Sequence, residues 1–327
     1  MAADRTYRPG ALRPGPGSAG AVHAGCPGEV RGPVTALEVV RAGPLTTVQD
    51  EGRTGLAHLG VPPSGAVDLP ALRSANRALG NPAGYAGLEI TVTGCTLRAR
   101  TAVTAAVTGA LADVTVDGVP VEFGQPFGIP PGGTLKVGAA RQGVRTYLAV
   151  AGGIAVPPVL GSRATDTLSG LGPPPVRDGD VLPIGDVPAP PAEPATPVRQ
   201  ASLPGDLLVR VRLGPRDDWF TPSAIDTLFG SRYQVSPTSS RIGVRLTGPA
   251  LTRTVAAELP SEGVVLGGVQ VPSGGEPLVF LADHPTTGGY PVIAVVERAD
   301  LWGFAQARPG TGVRFQPATR RHGSGGG

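Results

Sequence analysis

Four segments of this chain place polar or charged side chains beside glycines, and they are the first candidates for chemistry. The first segment, GPLTTVQDEGRTGLAHLGVPPSGAVD at residues 43–68, contains Gln49, Asp50, Arg53, Ser64 and Asp68. Binding residues concentrate on loops that a rigid scaffold holds, so this segment is predicted to line a binding site. The structural alternative is a local ion pair between Asp50 and Arg53, with the glycines serving as turns.

The second and third segments each contribute an arginine. LGSRATD at residues 160–166 contains Arg163, whose guanidinium can bind a carboxylate through two hydrogen bonds. SPTSSRIGVRLTGP at residues 236–249 places Arg241 between a polar loop and a strand-like run. For Arg163, a salt bridge on the protein surface is the structural alternative.

The fourth segment, residues 258–301, is the densest in polar side chains. Its candidates are Ser261, Glu262, Gln270, Asp283, Thr286, Thr287 and Tyr290. The run TTGGY at residues 286–290 lies between two predicted strands, so its backbone amides can form an anion-binding nest. His284 is interpreted as a surface or capping residue, with a general base as the alternative. Four such segments together favour a binding site over isolated turns.

Several common chemistries require residues that the sequence lacks. There is no Gly-rich phosphate loop ending in Gly-Lys-Ser/Thr, and Lys136 is the only lysine, which excludes Walker-type nucleotide binding. No methionine flanks Lys136, so a biotin-carrier segment is not encoded. Between residues 35 and 318 the histidines are His58 and His284, without a His/Glu pair at helical spacing. No metal site is therefore expected.

The charge distribution and the cysteines bear on partners and compartment. The net charge is +3, and the excess positive charge comes from arginines in the first 34 residues and from Arg320 and Arg321. A nucleic-acid-binding protein carries such charge on its folded surface, so nucleic acid is not an expected partner. Cys26 and Cys95 are too few for a disulfide framework. With no apolar run of about 18 residues and no secretory signal, we expect a cytoplasmic protein that binds no membrane.

The elements that must position these residues are mainly short strands. The chain has 50 glycines and 37 prolines among 327 residues, with Val, Thr, Ile and Leu interleaved in short runs. Such a composition predicts strands joined by tight turns. A helix is predicted at residues 69–79 (LPALRSANRAL), with Asp68 as its N-cap. DGVP at residues 117–120 predicts a hairpin turn.

Composition also divides the chain. Residues 1–34 and 319–327 are predicted to be disordered tails, and the Pro-rich residues 186–206 are predicted to be an extended linker. The linker separates an N-terminal subdomain at residues 35–185 from a C-terminal one at residues 207–318. Because Met1 is the only methionine, our hypothesis is that translation begins at a later non-Met codon, for example that of Val34.

The two halves share an order of segments. LEITVTGCTL, IPPGGTLKV and YLAVA in the first half correspond to GVRLTGPAL, VPSGGEPLVF and YPVIAVV in the second. This order indicates an internal duplication and hence two related β-barrels packed side by side.

Four long motifs, most of them overlapping these segments, resemble a known family. They are TTVQDxGRxGxxxxGVPxSGAxD at residues 46–68, ANxxxGNPxxxAxLEIT at 75–91, YLAVAGGIxVPxVLGSRxT at 147–165 and SEGVVxGxxQVPxxGxPxxxxADxxTTGGYPxIAxVxxAD at 261–300. All are similar to the family of the 5-oxoprolinase C subunit, also called allophanate hydrolase subunit 2 or the kinase-inhibitor antagonist family. This family is related to the carboxyltransferase domain of urea carboxylase, and the resemblance covers about residues 35–318.

The resemblance implies a mostly β fold with two cyclophilin-like β-barrel subdomains and few short helices. It implies companion proteins resembling the A and B subunits of 5-oxoprolinase, and ATP-dependent hydrolysis of 5-oxoproline to glutamate, with ATP bound at the level of the complex. In this reading Asp50 or Glu262 acts as acid or base, and Arg163 or Arg241 holds a carboxylate.

The sequence leaves two other functions open. One is biotin-dependent carboxyl transfer to urea or a related amide, with biotin carried by another protein. The other is non-catalytic regulation of a kinase-inhibitor-like partner. The chain also departs from the family pattern, with His284-Pro285 where Arg-Gln is common, Ser240 where Asp is common, and Leu56 where an aromatic is common. These positions are expected to distinguish its specificity.

Overall fold

A computed structural model describes residues 35–187, 205–255, 257 and 259–318 of the chain. The predicted tails and most of the predicted linker lie outside the described residues. Within the described residues the fold is mostly β, with three α-helices, which confirms the predicted class.

The first half is an open nine-stranded sheet that curves into a half-barrel. Its central path runs β2-β3-β8-β4-β1-β9, while β5 pairs with β6, β7 and β8. The strands are β1 (Ala36–Arg41), β2 (Thr46–Gln49), β3 (Gly87–Thr91), β4 (Cys95–Ala99), β5 (Val103–Val116), β6 (Val119–Pro120), β7 (Phe127–Ile129), β8 (Thr134–Val150) and β9 (Val181–Pro183). The 17-residue strand β8 holds this half together by pairing with β3, β4 and β5.

The helix of the first half, α1 (Leu69–Ala78), matches the predicted span to within a residue. Asp68 is its N-cap, with Oδ1 accepting a hydrogen bond of 3.1 Å from the Ala71 amide, as predicted. Leu72 and Ala75 face inward and are fully buried. The predicted hairpin turn is also confirmed, because Asp117 and Gly118 join β5 to β6 with positive φ angles of 50° and 82°.

The second half is a closed seven-stranded barrel in the order β10-β17-β14-β15-β12-β11-β18. Closure comes from β10 and β18, which pair in parallel. The strands of this half are β10 (Asp206–Leu213), β11 (Tyr233–Val235), β12 (Gly243–Thr247), β13 (Glu262–Gly263), β14 (Gly268–Gln270), β15 (Leu278–Phe280), β16 (Thr287–Gly288), β17 (Val292–Val296) and β18 (Gly312–Pro317). Strands β13 and β16 form a separate two-stranded ribbon. The helices are α2 (Pro222–Gly230) and α3 (Leu301–Gln306).

Each sheet encloses its own apolar core, because alternate side chains of a strand point to opposite faces. In β10, for example, Leu207, Val209 and Val211 are buried. A third, smaller apolar cluster contains Leu69 and Leu72 of α1 and Tyr147 of β8, with Trp302 of α3 packed against it. This cluster joins the two halves, and all described residues belong to one compact unit. Within the described part of the chain, no helix is long and apolar enough to cross a membrane.

Candidate functional site

A buried ionic network centred on Arg241 connects the two halves. Arg241 lies just before β12 in the second half, yet its Nη1 donates to Glu89 on β3 of the first half. Its Nε and Nη2 donate to the two oxygens of Asp283 at 2.9 and 2.8 Å, and Nη2 also donates to the Gly65 carbonyl at 2.8 Å. The side chains of Arg241, Glu89 and Asp283 are almost completely buried. A buried charge is tolerated only when it is paired and hydrogen-bonded, and this network meets both conditions.

Glu89 receives more donors than Arg241 alone. The Tyr147 hydroxyl donates to its Oε2 at 2.7 Å and the Val67 amide at 3.0 Å, and Arg145 Nε lies 3.4 Å from Oε1. Burial by itself raises the pKa of Glu89, but the charges of Arg241 and Arg145 outweigh burial, so the pKa lies below its ordinary value. Glu89 is therefore a carboxylate at neutral pH.

Asp68 and Gln306 extend the network to helix α3. The Tyr147 hydroxyl accepts from the Asp68 amide at 2.7 Å, and Gln306 Nε2 donates to Asp68 Oδ2 at 2.8 Å. Gln306 Oε1 accepts from the amides of Val144 and Arg145 on β8. Burial raises the pKa of Asp68 and, more strongly, that of Tyr147. The predicted site residue Asp68 thus serves as a helix cap and as a link between the halves.

A second polar cluster fixes the loop that contains Arg163. Asp50 accepts hydrogen bonds of 2.6 Å from Ser162 Oγ and from the Arg163 amide. The Arg163 side chain turns to the Val156 carbonyl, to which its Nε donates at 2.7 Å. Gln49 Nε2 donates to the Thr165 carbonyl at 2.9 Å. Gln49 at the end of strand β2 and Asp50 in the turn after it therefore position this loop.

Arg53 does not form the local ion pair with Asp50 that was the structural alternative. Its guanidinium donates instead to the carbonyls of Val159 at 3.3 Å and Ala164 at 2.6 Å, and to Ser64 Oγ at 3.2 Å. Ser64 in turn donates to Asp166 Oδ2 at 2.8 Å. Burial alone raises the pKa of Asp166, but hydrogen bonds from Ser169 and Ser64 lower it below its ordinary value. These hydrogen bonds join Arg53, Ser64 and Asp166 into one polar wall.

This wall borders a cleft of about 330 Å³ between the two halves. The first half contributes the loop between β2 and α1, and the second half contributes residues around β13, β15 and α3. Most of the lining is apolar, including Leu56, Val61, Val67, Val265, Leu281 and Trp302. The polar lining side chains include Glu51, Arg53, Ser64, His284 and Arg298. An apolar cleft with a few converging polar groups, at a boundary between two units, is the usual form of a small-molecule site.

Comparison with known proteins identifies the family. The family described as carboxyltransferase domain, subdomain A and B, matches residues 59–317. The chain belongs to this family.

Individual members of the carboxyltransferase family show how widely the similarity extends. The chain is 42% identical over 282 residues to the 5-oxoprolinase C subunit of Escherichia coli, covering 85% of this chain and 90% of that protein. It is 34% identical over 308 residues to urea amidolyase of Saccharomyces cerevisiae, of which it spans 17%. The crystal structure of the K. lactis urea amidolyase superimposes with a TM-score of 0.82 at 34% identity, covering 88% of this chain and 19% of that one.

The remaining predicted residues do not line this cleft. Glu262 on β13 is paired with Arg216, which keeps the pKa of this carboxyl below its ordinary value. Gln270 donates to the Tyr290 carbonyl at 3.0 Å, and the Arg253 guanidinium lies 5.8 Å from the centroid of the Tyr290 ring. Ser261 and Thr287 are exposed, Thr286 is half-buried, and Thr287 and Gly288 form β16 opposite β13. The structure thus divides the predicted residues between the cleft wall, the central network and a separate region around β13, β14 and β16.

Sequence reasoning missed several residues that the structure makes central. Glu89 was interpreted only as part of a strand, although a single carboxylate inside the apolar run LEIT was a readable signal of a buried partner. Tyr147, Arg145 and Gln306 were missed because their partners are distant in sequence. Arg298 was missed because nothing local distinguishes it from an ordinary surface arginine.

Proposed function

We propose that this chain is the C-type component of an ATP-dependent 5-oxoprolinase complex that hydrolyses 5-oxo-L-proline to L-glutamate. The observation that carries the proposal is the cleft between the halves, in a chain that matches 90% of the E. coli 5-oxoprolinase C subunit at 42% identity. The cleft combines apolar walls with guanidinium and imidazole groups, which suits a small, partly apolar ring bearing a carboxylate.

The chemistry requires that an unreactive lactam carbonyl be activated, which is the role of ATP in this proposal. The residues of this chain do not form a Walker-type ATP site. The only lysine, Lys136, lies exposed on β8 and is not part of the cleft lining, and the sequence contains no phosphate loop. We therefore assign ATP binding to companion proteins of the A and B types, and to this chain the binding and orientation of the ring. Because the reaction needs ATP, we assign the complex to the cytoplasm.

Asp50 and Glu262, the two carboxylates expected to act as acid or base, both bind other groups of the protein. Asp50 accepts two short hydrogen bonds from the Arg163 loop, and Glu262 is paired with Arg216 outside the cleft. Both carboxylates are engaged by the protein, so we propose Asp50 as a positioning residue for the cleft wall. Glu262 is proposed to stabilise the β13–β16 ribbon beside the cleft.

Reconstitution tests the proposal. The chain is purified together with its neighbouring A-type and B-type subunits, and glutamate formation from 5-oxo-L-proline and ATP is measured with all subunits and with each one omitted. We expect glutamate only when all subunits and ATP are present. Absence of glutamate from the complete mixture would exclude the proposed function.

Carboxyl transfer is the second candidate, and the urea amidolyase similarity over 86% of this chain is the observation that favours it. Because the chain encodes no carrier lysine segment, biotin must arrive on another protein. The same subunits are therefore incubated with urea and a carboxylated biotin carrier protein. Transfer of labelled carboxyl to urea, with no glutamate from 5-oxoproline, would replace the first candidate by the second.

A further inference from the structure

His284 lines the cleft, and its imidazole has one defined tautomer. The residue follows β15, is 4% exposed and lines the cleft, so of the two predicted roles, surface or capping residue, the surface role is wrong. Its Nδ1 lies 2.7 Å from the Pro285 carbonyl oxygen. A carbonyl oxygen can only accept, so Nδ1 carries the hydrogen and Nε2 retains its lone pair. The Phe280 ring, with its centroid 5.8 Å away, packs against the imidazole and helps to fix its orientation.

The surroundings keep this imidazole neutral. Burial lowers the pKa of His284, although the Pro285 carbonyl, Asp283 and Asp166 act in the opposite direction. Both carboxylates are already engaged, Asp283 by Arg241 and Thr167, and Asp166 by Ser64. Of the other charged groups that line the cleft, Glu51 is paired with Arg73 and Arg53 is bonded to carbonyls. The neutral ring of this cleft-lining residue therefore has an acceptor nitrogen, Nε2, that makes no hydrogen bond to the described residues.

Arg298 is the second cleft residue with unused hydrogen-bonding capacity. The neighbouring acidic residues form ion pairs with other arginines, Glu297 with Arg212 and Asp300 with Arg210. Among the described residues, Arg298 has no ion pair and no side-chain hydrogen bond, and its side chain is exposed at the cleft. A free guanidinium in a largely apolar cleft is suited to a carboxylate of the ligand.

We propose that His284 and Arg298 are the specificity-determining pair of the cleft, which selects small ligands carrying both an amide N–H and a carboxylate. The His284 Nε2 accepts the amide N–H, and the Arg298 guanidinium binds the carboxylate. This inference rests on the proposed function, because it names the groups that recognise a lactam acid such as 5-oxoproline. It assigns no bond-making step to either residue, only binding and orientation.

The test measures binding rather than turnover. The wild-type chain, assembled with its A-type and B-type companions and without ATP, is titrated calorimetrically with 5-oxo-L-proline, its N-methyl derivative and 2-pyrrolidinone. N-methylation removes the N–H, and 2-pyrrolidinone lacks the carboxylate. Wild type should bind the parent compound about five to tenfold more tightly than the N-methyl compound, as expected for one neutral hydrogen bond, and about 10 to 100-fold more tightly than 2-pyrrolidinone.

Substitutions at His284 and Arg298 test which residue causes each loss of affinity. His284→Asn keeps a donor for the Pro285 carbonyl but removes the Nε2 acceptor, and it should abolish discrimination against the N-methyl compound. His284→Gln places an amide oxygen near the position of Nε2 and should retain part of that discrimination. Arg298→Met should abolish the preference for 5-oxo-L-proline over 2-pyrrolidinone. Arg98→Met, at an exposed arginine on β4 outside the cleft, is the control and should bind all three compounds as wild type does.

The outcomes separate this inference from the proposed function. If His284→Asn and Arg298→Met discriminate as wild type does, or if wild type binds none of the three compounds, the pair is not the specificity determinant. If the variants behave as expected but the complete complex forms no glutamate, the inference stands and the 5-oxoprolinase assignment is excluded.

Discussion

At the scale of single residues, the buried charged side chains of the central network pair with other side chains of the protein. Arg241 was predicted to hold the carboxylate of a ligand, and the structure gives it two carboxylates of the protein, Glu89 and Asp283. The residue type and its chemistry were readable from sequence, but the partner was not. Glu89 is 152 positions away in the chain, and only the packing of the two halves brings the pair together.

Removing Arg241 should therefore destabilise the protein strongly. Arg241→Met leaves Glu89 and Asp283 buried without their main partner, at a cost of about 3–5 kcal/mol in the free energy of unfolding. Arg210→Met breaks an exposed pair with Asp300 and should cost about 0–1 kcal/mol. Urea denaturation of both variants provides the comparison. Equal losses would contradict the interpretation of Arg241 as the centre of the network.

The pH dependence of the same network follows from Glu89. Its pKa in the folded state lies below the ordinary value of 4.5, so its contribution is fully present above about pH 4.5 and is lost as pH falls through the folded-state pKa. Glu89→Gln should be less stable than wild type at pH 7, and this difference should shrink as the pH is lowered below 4.5. Thermal melts across this range measure it. A difference that grows with acidification would contradict the assigned charge state.

At the scale of elements, the loop at residues 160–172 depends on one glycine. Gly172 has φ +84°, and a Cβ there would lie 2.1 Å from the Ala164 carbonyl oxygen and 3.0 Å from Arg53 Nη2. Both groups belong to the wall of the cleft, where Arg53 donates to that carbonyl. The loop and Arg53 can therefore approach each other only because this position has no side chain.

Substitutions at Gly172 and Gly170 separate steric contact from backbone strain. Gly170 has a similar φ of +75° but open space around it, so Gly170→Ala should cost only about 1–2 kcal/mol for the left-handed conformation. Gly172→Ala adds the clash with the Ala164 carbonyl. It should therefore lower the melting temperature and weaken ligand binding more than Gly170→Ala does. Calorimetry and ligand titration provide the readout. Identical behaviour of the two variants would show that the contact is unimportant.

Elements with local signals were predictable, and those that depend on distant contacts were not. Helix α1 and its Asp68 cap, and the turn at Asp117, follow from residues next to each other in sequence. Helix α2 was missed although Thr221 at its N-cap and Pro222 at its first position were readable signals. Helix α3 has six residues and is stabilised by packing on β8, which no local pattern reveals. The sequence predicts which segments form the cleft wall, but it does not predict the hydrogen bonds between them.

At the scale of the whole molecule, the two halves act as one unit because polar and apolar contacts both cross their boundary. The Arg241 network, the Gln306 bonds and the cluster around Trp302 join the half-barrel to the closed barrel. The cleft beside these contacts contains residues from both halves, so neither half could form it alone. The carboxyltransferase-family match at residues 59–317 likewise includes residues of both halves.

Glutamate formation by a complex with a blocked cleft tests the central claim most directly. Val265 lines the cleft and is 54% exposed, so Val265→Trp narrows the cleft without disturbing the core. Val181→Trp, at a similarly exposed valine on β9, is the matched control. Co-purification with the A-type and B-type companions and the melting temperature verify that both variants assemble and fold.

The expected result is a selective loss of activity. The Val265→Trp complex should form glutamate from 5-oxo-L-proline and ATP at least about tenfold more slowly than wild type, since small displacements of a substrate cost up to about 100-fold in rate. The Val181→Trp complex should retain the wild-type rate. An intact Val265→Trp complex that matches wild type would contradict the assignment of the cleft as the substrate site.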